Sequence, residues 1–370
     1  MKKSLYLLMI FITTSTLFCN NNQESRRLRG PQIEFAPRTY VCYHTSLSLT
    51  IDGKMNESDW QKAEWTENFI DIEGAIKPKP RFRTRVKMLW DDTYFYIFAE
   101  MEEPHVWAKL TQRDTVIFYD NDFEVFIDPD GDTHQYYELE INAFNTQWDL
   151  FVDKPYRDGA SVMFNWNIAG LISAVDIKGT INNPSDQDEG WTLEIAYPWN
   201  VLKECANKEA PPLAGDQWRV NFSRVEWRTE TKNGTYKKVI NPKTGRPYPE
   251  DNWVWSPQGV INMHYPEMWG FVQFSFNIVG SATEEFQKKP EEQVKWFLRQ
   301  IYYKQIEYFS REHRYAENVK QLGLNKQQIA GYIWPPEIKT TWHLFEAIME
   351  SNDGNEVWSI RQDGKVSRLR

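Results

Sequence analysis

The sequence predicts a mainly β protein, an antiparallel β-sandwich of the immunoglobulin or jelly-roll kind, followed by a small C-terminal appendage. From residue 40 to about 278, short runs with apolar residues at alternate positions are each closed by Gly, Pro or Asp, which is typical of half-buried strands. In that region helical periodicity is confined to two short stretches, and it returns after the region in one long and one short stretch. The chain has 370 residues, 41% hydrophobic and 15% aromatic, which is enough to bury a large core.

The strands of this region follow one another closely. Residues 86–101 predict two strands around a turn at Asp91-Asp92, and the second strand is apolar on both faces, as a central strand is. Further strands are predicted at residues 123–128, 136–143, 191–197, 218–227 and 269–276. Short helices are predicted at residues 56–64 and 199–206.

The composition changes after Gly280, where we place the end of a sandwich domain of residues 40–280. Residues 290–313 carry an apolar stripe at helical spacing, and a second short helix is predicted to end at Gly323. A hairpin is predicted over residues 342–361, with a further tight turn at Asp363-Gly364. Residues 281–370 are therefore expected to form a helix-plus-hairpin appendage.

The N-terminus predicts export. Two lysines precede an apolar run at residues 5–12 that is too short to span a membrane, and polar residues follow soon after. Cys19 predicts acylation of a bacterial lipoprotein, so residues 1–19 are expected to be the signal and residues 20–39 a tether. The expected location is the cell envelope, as an outer-membrane lipoprotein, or otherwise the periplasm or the medium.

Charge and motif content exclude several classes of protein. The chain has 52 acidic and 43 basic residues, a formal net charge of −9 and no block of Lys or Arg, so it lacks the basic surface of a nucleic-acid binder. The motifs of serine hydrolases, zinc proteases and nucleotide-binding loops are absent from the sequence. If Cys19 carries lipid, Cys42 and Cys205 remain, either as one disulfide or as two buried thiols.

Acidic residues gather on one predicted hairpin, residues 120–142. The turn at Pro129-Asp130-Gly131 makes the two strands of the hairpin antiparallel. If Phe123 and Leu139 are buried in the core, the residues that alternate with them along each strand lie on the opposite face of the sheet. That face carries Glu124, Glu138, Glu140 and Asn142. Carboxylates gathered there repel each other, so arginines, a cation or a ligand rich in donors must offset them. A later strand offers Arg219, Arg224 and Arg228.

Three interpretations of this polar face remain open. The first is a solvated surface with internal Arg–Glu pairs. The second is a glycosidase that uses Glu138 or Glu140 with Glu124, although neighbouring carboxylates on one strand approach a substrate from one side, whereas acid and base must flank the bond. The third is sugar binding, in which the carboxylates and Asn142 accept hydrogen bonds from hydroxyls while aromatic rings stack on the apolar face.

The turn of the same hairpin is a candidate metal site. Asp128, Asp130 and Asp132 alternate like the start of a calcium-binding loop. The EF-hand pattern fails, because Thr133 stands in place of glycine and Leu139 in place of the closing Glu. A structural calcium ion and a bare hairpin turn both remain possible.

Tryptophan side chains are the second candidate for ligand contact. Most of them, such as Trp148 and Trp166, are expected in the core. Trp253 and Trp255 lie in a polar run, residues 251–257, that predicts a loop. We therefore expect these two rings to be available for stacking on a ligand.

Five segments, taken in order, give the sequence a family resemblance. They are IDGKMNESDWQKA, VKMLWDDTYFYIFAEMEEP, DNDFEVFIDPDGDTHQYYELEIN, GDQWRVNFSRVEW and WVWSPQGVINMHYPEMWGFVQF. Together they resemble carbohydrate-binding module family 9-like proteins, from about Ile51 to Phe276. The resemblance implies an exported bacterial β-sandwich that binds sugar chain ends between two aromatic rings and carries structural calcium.

The resemblance also suggests site residues. Glu124 and Asn142 match positions where the family places polar contacts to sugar, and Glu140 stands where some members carry an arginine, which leaves the sugar specificity open. Phe118 and Trp255 are our candidates for the aromatic pair, and Arg224 is a candidate polar contact. Related folds bind haem, so a haem- or partner-binding module on the same sandwich is a further alternative. Haem would need axial His or Met ligands, and Met263-His264 is the pair of residues that stands out for that role.

Overall fold

The computed structural model describes residues 30–326 and 329–370. The predicted export signal and Cys19 lie outside the described residues. Within the described ranges no helix is long and apolar enough to cross a membrane. The described part of the predicted tether is packed: Phe35 stacks on Trp296 with ring centroids 4.5 Å apart, and the Gln32 amide donates to the Gly259 carbonyl at 3.1 Å.

The sandwich region contains most of the strands. They are β1 (Thr39–His44), β2 (Ile70–Asp71), β3 (Thr84–Trp90), β4 (Tyr94–Glu102), β5 (Asp122–Asp128), β6 (Tyr136–Asn142), β7 (Gln147–Val152), β8 (Val162–Met163), β9 (Ile172–Lys178), β10 (Gly190–Pro198), β11 (Gln217–Glu226), β12 (Thr229–Lys232), β13 (Thr235–Lys238), β14 (Asp251–Val254) and β15 (Gly270–Ile278). The helices are α1 (Ser58–Lys62) and α2 (Trp199–Leu202), with 3₁₀ turns at Ile117–Tyr119, Tyr156–Asp158, Lys203–Cys205 and Pro266–Met268.

One hydrogen-bonded path joins these strands in the order β8–β7–β6–β5–β11–β15–β1–β3–β4–β10–β9, and β14 bridges β11 and β2. The two halves of the path face each other, because a single buried cluster draws on β5, β6 and β11 from one half and on β3, β4 and β10 from the other. The predicted β-sandwich is therefore confirmed. It is not wholly antiparallel, since β1 runs parallel to both β15 and β3.

The predicted register of the acidic hairpin is confirmed. Val125 lies opposite Leu139, and both side chains are in the main core. The alternate position pairs Glu124 with Glu140 on the other face. The two strands predicted over residues 86–101 and both short helices are also found at the expected places.

The appendage consists of α3 (Glu291–Glu312), β16 (Glu337–Thr340), β17 (Phe345–Glu350), β18 (Val357–Arg361) and β19 (Val366–Arg368). The predicted long helix and hairpin are confirmed, and the hairpin belongs to a four-stranded sheet. These elements share a core of their own, which Tyr265 of the sandwich region joins.

The short helix predicted to end at Gly323 is wrong, because that segment forms turns. The Gln305 side chain accepts from the Ala316 amide at 2.8 Å and donates to its carbonyl at 2.7 Å. A side chain of α3 thus satisfies backbone groups that a helix would have paired. Cys42 and Cys205 are both buried and unpaired, which agrees with the two-thiol alternative.

Candidate binding cleft

A cleft of about 290 Å³ opens on the face of β5, β6 and β7 that is turned away from the main core. Its floor carries the predicted carboxylates Glu124, Glu138 and Glu140. Its lining also includes Phe118, Phe126, Trp148, Leu150, Tyr156, Val225, Glu250, Asn252, Met263 and His264. Phe118 is half-buried, and Tyr156 is 44% exposed, so two aromatic rings remain accessible beside an acidic floor.

The carboxylates on the floor are buried, which contradicts the interpretation as a solvated sheet face. Glu124 and Glu138 are each 5% exposed and Glu140 is 1% exposed. Asp122, at the start of β5, lies behind them and is fully buried. The Glu140 side chain accepts a hydrogen bond from the Phe118 amide at 3.0 Å. By contrast, both oxygens of Asp122 and the Oε2 atoms of Glu124 and Glu138 have no hydrogen-bond donor.

The three arginines expected to offset these charges are engaged elsewhere. Arg224 donates to Glu103 at 2.9 Å and to Glu226 at 3.0 Å. Arg219 pairs with Glu292 at 2.7 Å, and Arg228 lies 3.7 Å from Asp251. The sequence pattern could not show most of this, because Glu103, Asp251 and Glu292 are distant along the chain; only Glu226 is close to its partner, two residues after Arg224. Arg224 therefore stabilises a neighbouring ion-pair network and is not a contact of the cleft.

Burial shifts the protonation of the floor. It raises the pKa of Glu124 to about 7 and raises the pKa of Glu140 well above its ordinary value, with Asp122 adding to the second shift. Burial, followed by the charge of Glu124, likewise raises the pKa values of Asp122 and Glu138. Because an uncompensated carboxylate in a dry site prefers to be neutral, the floor favours whatever supplies protons, hydrogen-bond donors or positive charge.

His264 at the rim does not supply that charge. Its Nδ1 lies 2.8 Å from the Tyr136 hydroxyl, and its Nε2 lies 4.0 Å from Glu138. Burial, with Arg157 nearby, lowers the pKa of His264 to about 3. The imidazole is therefore neutral at physiological pH and acts on the floor only as a weak polar neighbour.

The aspartates of the hairpin turn come together as predicted. Oxygens of Asp128, Asp130 and Asp132 lie within 4.8 Å of one another. All six carboxylate oxygens nevertheless already accept hydrogen bonds, from backbone amides, the Asn207 amide and the Lys365 ammonium. The turn is complete without an ion, so the calcium that the resemblance implies does not fit these three residues well.

Asn142 does not line the cleft. Its side chain donates to the Leu110 carbonyl at 2.8 Å and accepts from the amides of Phe144 and Thr146, each at 3.1 Å. It is fully buried and closes the turn after β6. A structural role therefore replaces the predicted sugar contact.

The predicted stacking role of Trp253 and Trp255 is wrong. Residues 251–254 form strand β14 rather than a polar loop, so both rings are in the main core. Trp255 is fully buried, and its indole donates to Glu67 at 3.2 Å. A Cβ added to Gly270 would lie 2.4 Å from the Trp255 ring, which shows how closely the backbone covers it.

Sequence reasoning missed several residues of the site, among them Asp122 and Tyr156, and it singled out His264 only as a haem ligand. Asp122 had a signal, because the hairpin register places it on the same face as Glu124 and Glu140. A place for Tyr156 and His264 beside the carboxylates had none, since they come from a 3₁₀ turn and from a loop that meet over the sheet only in the folded chain. Their rings are in edge-to-face contact, with centroids 4.3 Å apart.

A larger groove, of about 480 Å³, lies on the other half of the sandwich. Two of its charged groups pair with each other, since Arg83 contacts Glu100 at 2.9 Å, and Glu100 is also 2.8 Å from Arg85 outside the groove. Within the described residues, no side-chain atom of its lining is buried without a hydrogen-bond partner. The smaller cleft is therefore the better candidate for a binding site, because the carboxylates on its floor include oxygens without a hydrogen-bond partner.

Comparisons with known proteins agree with the resemblance. Residues 51–214 match the family described as "Carbohydrate family 9 binding domain-like", which confirms the predicted resemblance over that segment. A 155-residue segment is 25% identical to Exoglucanase XynX of Acetivibrio thermocellus and covers 41% of this chain but 12% of that enzyme.

Two solved structures are also similar. Both are of a family 9 carbohydrate-binding module from Caldicellulosiruptor kristjanssonii, one in complex with cellotriose and one with glucose. Each has a TM-score of 0.40, and each match covers 66% of this chain. The cellotriose complex is 16% identical and is covered over 99% of its length, and the glucose complex is 15% identical and is covered over 100% of its length.

Proposed function

We propose that this protein, whose residues 51–214 form a carbohydrate family 9 binding domain-like segment, binds an oligo- or polysaccharide in the cleft without cleaving it. The observation that carries the proposal is the set of buried acceptors without donors at the cleft floor, beside accessible aromatic rings. Sugars match such a surface, because their hydroxyls donate hydrogen bonds and their C–H faces stack on rings.

Each part of the cleft has its own role in this proposal. Glu124 and Glu138 accept hydrogen bonds from sugar hydroxyls through the Oε2 atoms that have no donor in the protein. Phe118 and Tyr156 provide the apolar contact, in place of the Trp255 ring first considered. Because the floor is already desolvated, a hydroxyl that reaches it replaces no strong interaction with water.

Calorimetric titration of the mature protein tests this, using the best ligand from a glycan array. Losing the aromatic contact of Tyr156→Ala should weaken binding about fivefold to tenfold, on the order of 1 kcal/mol. Glu138→Gln should weaken it by a similar factor, since one acceptor becomes a donor. Trp342→Ala is the matched control, because Trp342 is 78% exposed and does not line the cleft. Unchanged affinity in both cleft variants would remove this site from the proposal.

A glycoside hydrolase is the second candidate, favoured by the pKa of about 7 that burial gives Glu124. A catalytic acid needs such a value. The acids nevertheless lie side by side on one sheet face, whereas hydrolysis needs an acid and a base on opposite sides of the glycosidic bond. Release of reducing ends from a polysaccharide panel, lost in Glu124→Gln, would support the hydrolase over the binding protein.

Export is part of the proposal, based on the N-terminal sequence. Lipid attached to Cys19 would hold the module at the cell envelope, where polysaccharide is met. Metabolic labelling with palmitate should mark the wild type and not Cys19→Ser. Equal labelling of the two proteins would exclude the lipid anchor, and retention of the wild type in the cytoplasm would exclude export.

A further inference from the structure

The oxygen cluster of Asp122, Glu124 and Glu140 is not fully explained by sugar binding, because Asp122 lies beneath the floor and does not line the cleft. One carboxylate oxygen from each residue lies within 4.8 Å of the others. Oxygens that bind Ca²⁺ from opposite sides, at about 2.3–2.6 Å each, are about 4.6–5.2 Å apart. The three side chains are thus spaced as ligands of one ion.

The protein also does not supply enough hydrogen-bond donors to satisfy the carboxylate oxygens of the cluster. Asp122 is fully buried with the Val225 backbone amide as a nearby donor, and neither its oxygens nor Glu124 Oε2 forms a hydrogen bond of normal geometry. The aspartates of the hairpin turn are the contrast within the same strand pair, because all six of their oxygens are bonded. Both groups are acidic, so acidity does not distinguish the cluster from the hairpin turn. The difference is that oxygens of the cluster lack hydrogen-bond donors, whereas those of the turn do not.

No positive side chain fills the gap within the part of the chain that the structure describes. The three carboxylates form no ion pair with Lys or Arg there, and Arg224 on the neighbouring strand is held by Glu103 and Glu226. Glu124 and Glu140 face each other directly across the strand pair, an arrangement that is destabilising for like charges. A positive charge at this point would remove the repulsion.

We propose that Asp122, Glu124 and Glu140 bind a divalent cation of the Ca²⁺ type beneath the floor of the cleft. The ligands are oxygen only, which favours Ca²⁺, Mg²⁺ or Mn²⁺ over Zn²⁺, whose sites nearly always include His or Cys. Three carboxylates supply oxygens in the flexible geometry that Ca²⁺ accepts and Mg²⁺ does not, and one oxygen of Glu140 is already bonded to the Phe118 amide. This site is different from the calcium site considered at the hairpin turn, because the two groups of residues have no member in common.

The ion would also bear on ligand recognition, a step that rests on the proposed function. Glu124 and Glu140 reach the cleft, so a bound cation would present its remaining coordination positions there. Sugar hydroxyls are oxygen ligands of the kind Ca²⁺ accepts. We therefore expect sugar affinity to fall at least tenfold when the ion is removed.

Calorimetric titration of the mature, chelator-stripped protein with CaCl₂ tests the site without any sugar. We expect one binding event per chain, weakened at least tenfold in Asp122→Asn and in Glu140→Gln and retained in the matched control Asp132→Asn. Melting in EDTA provides a second readout. Both cluster variants should melt at or above the wild-type temperature in EDTA, because an amide in place of a carboxyl removes the like-charge repulsion within the cluster. They should lose the rise that Ca²⁺ produces in the wild type.

The outcomes separate the alternatives. Absence of Ca²⁺ binding by the wild type, or binding lost in Asp132→Asn and kept in both cluster variants, would overturn the proposal. If Asp122→Asn does not fold, Glu140→Gln decides, because its remaining side-chain oxygen can still accept from the Phe118 amide. Ca²⁺ binding without sugar binding supports the ion site and counts against the proposed function alone. A larger rise in melting temperature with MgCl₂ than with CaCl₂ would overturn the assignment to Ca²⁺.

Discussion

Arg157 and Glu267 form a two-pronged ion pair in which Arg157 Nη2 donates to Oε1 at 2.8 Å and to Oε2 at 3.0 Å. The side chains are 6% and 2% exposed. Tyr303 of α3 donates its hydroxyl to the same carboxylate. The ion pair therefore lies at the contact between the sandwich and the appendage. Removing either charged side chain would leave the other one buried at this contact.

Removing one partner of this pair should be costly. We expect Glu267→Gln to lower the free energy of unfolding by about 3–5 kcal/mol, because the buried Arg157 charge loses its two-oxygen partner and keeps only Asp158, at 3.4 Å, as a counterion. Urea denaturation measures the change. Glu337→Gln is the control, since Glu337 pairs with Lys339 at an exposed position and should cost less than about 0.5 kcal/mol. Similar losses in the two variants would contradict the prediction.

The sandwich should fold without the appendage. We propose the boundary near Gly280, because the main cluster of the sandwich and the cluster of the appendage share no residue, and among the described residues Tyr265 is the one buried apolar residue of the sandwich region in the appendage cluster. A chain ending after Ile278 should keep the near-ultraviolet circular dichroism of the sandwich and melt at a lower temperature, since Arg219 loses Glu292 and Glu267 loses Tyr303. Insoluble or unfolded product would show that the regions form one cooperative unit.

Gly270 should tolerate no side chain. A Cβ there would meet the six-membered ring of Trp255 at 2.4 Å, and a fully buried indole has no room to move. We expect Gly270→Ala to destabilise the protein by about 1–3 kcal/mol. Trp255→Phe removes the overlapping ring atoms, so the double variant should lose less stability than the two single changes added together. Simple additivity in urea denaturation would contradict the contact.

Stability should depend on pH through Glu194. This buried carboxylate accepts hydrogen bonds from the Trp60 indole at 2.8 Å and from the Asp52 and Gly53 amides at 3.0 and 3.1 Å. Burial still raises its pKa from 4.5 to about 7. The folded state therefore holds this proton more tightly than the unfolded state, and stability falls as the pH rises from about 4.5 to 7.

Melting temperatures at pH 5, 6, 7 and 8 check this. Glu194→Gln cannot titrate, so its melting temperature should fall less steeply over this range than that of the wild type. The slope is not abolished, because other buried carboxyls also have raised pKa values. Glu337→Gln should keep the wild-type slope, and an equally steep fall in Glu194→Gln would contradict the assignment.

The acidic face could be predicted because side-chain alternation and one tight turn determine the register. Once Val125 and Leu139 are buried, Glu124 and Glu140 have to share the other face. The burial of that face could not be predicted, since the segments that carry Phe118, Tyr156 and His264 reach it only through the tertiary fold. Alternation also says nothing about strand direction, which is why the parallel pairing of β1 was not foreseen.

The position of β1 governs when folding can finish. Thr39 pairs with Phe271 and Tyr43 with Leu89, so the first strand completes the middle of the path only after β15 has been synthesised. Closing so long a loop has a high entropic cost, and contacts that are far apart in sequence slow folding. Until then, the strands of the two halves expose unpaired edges. A nascent chain is therefore expected to be vulnerable to aggregation and proteolysis until its last sandwich strand has been synthesised.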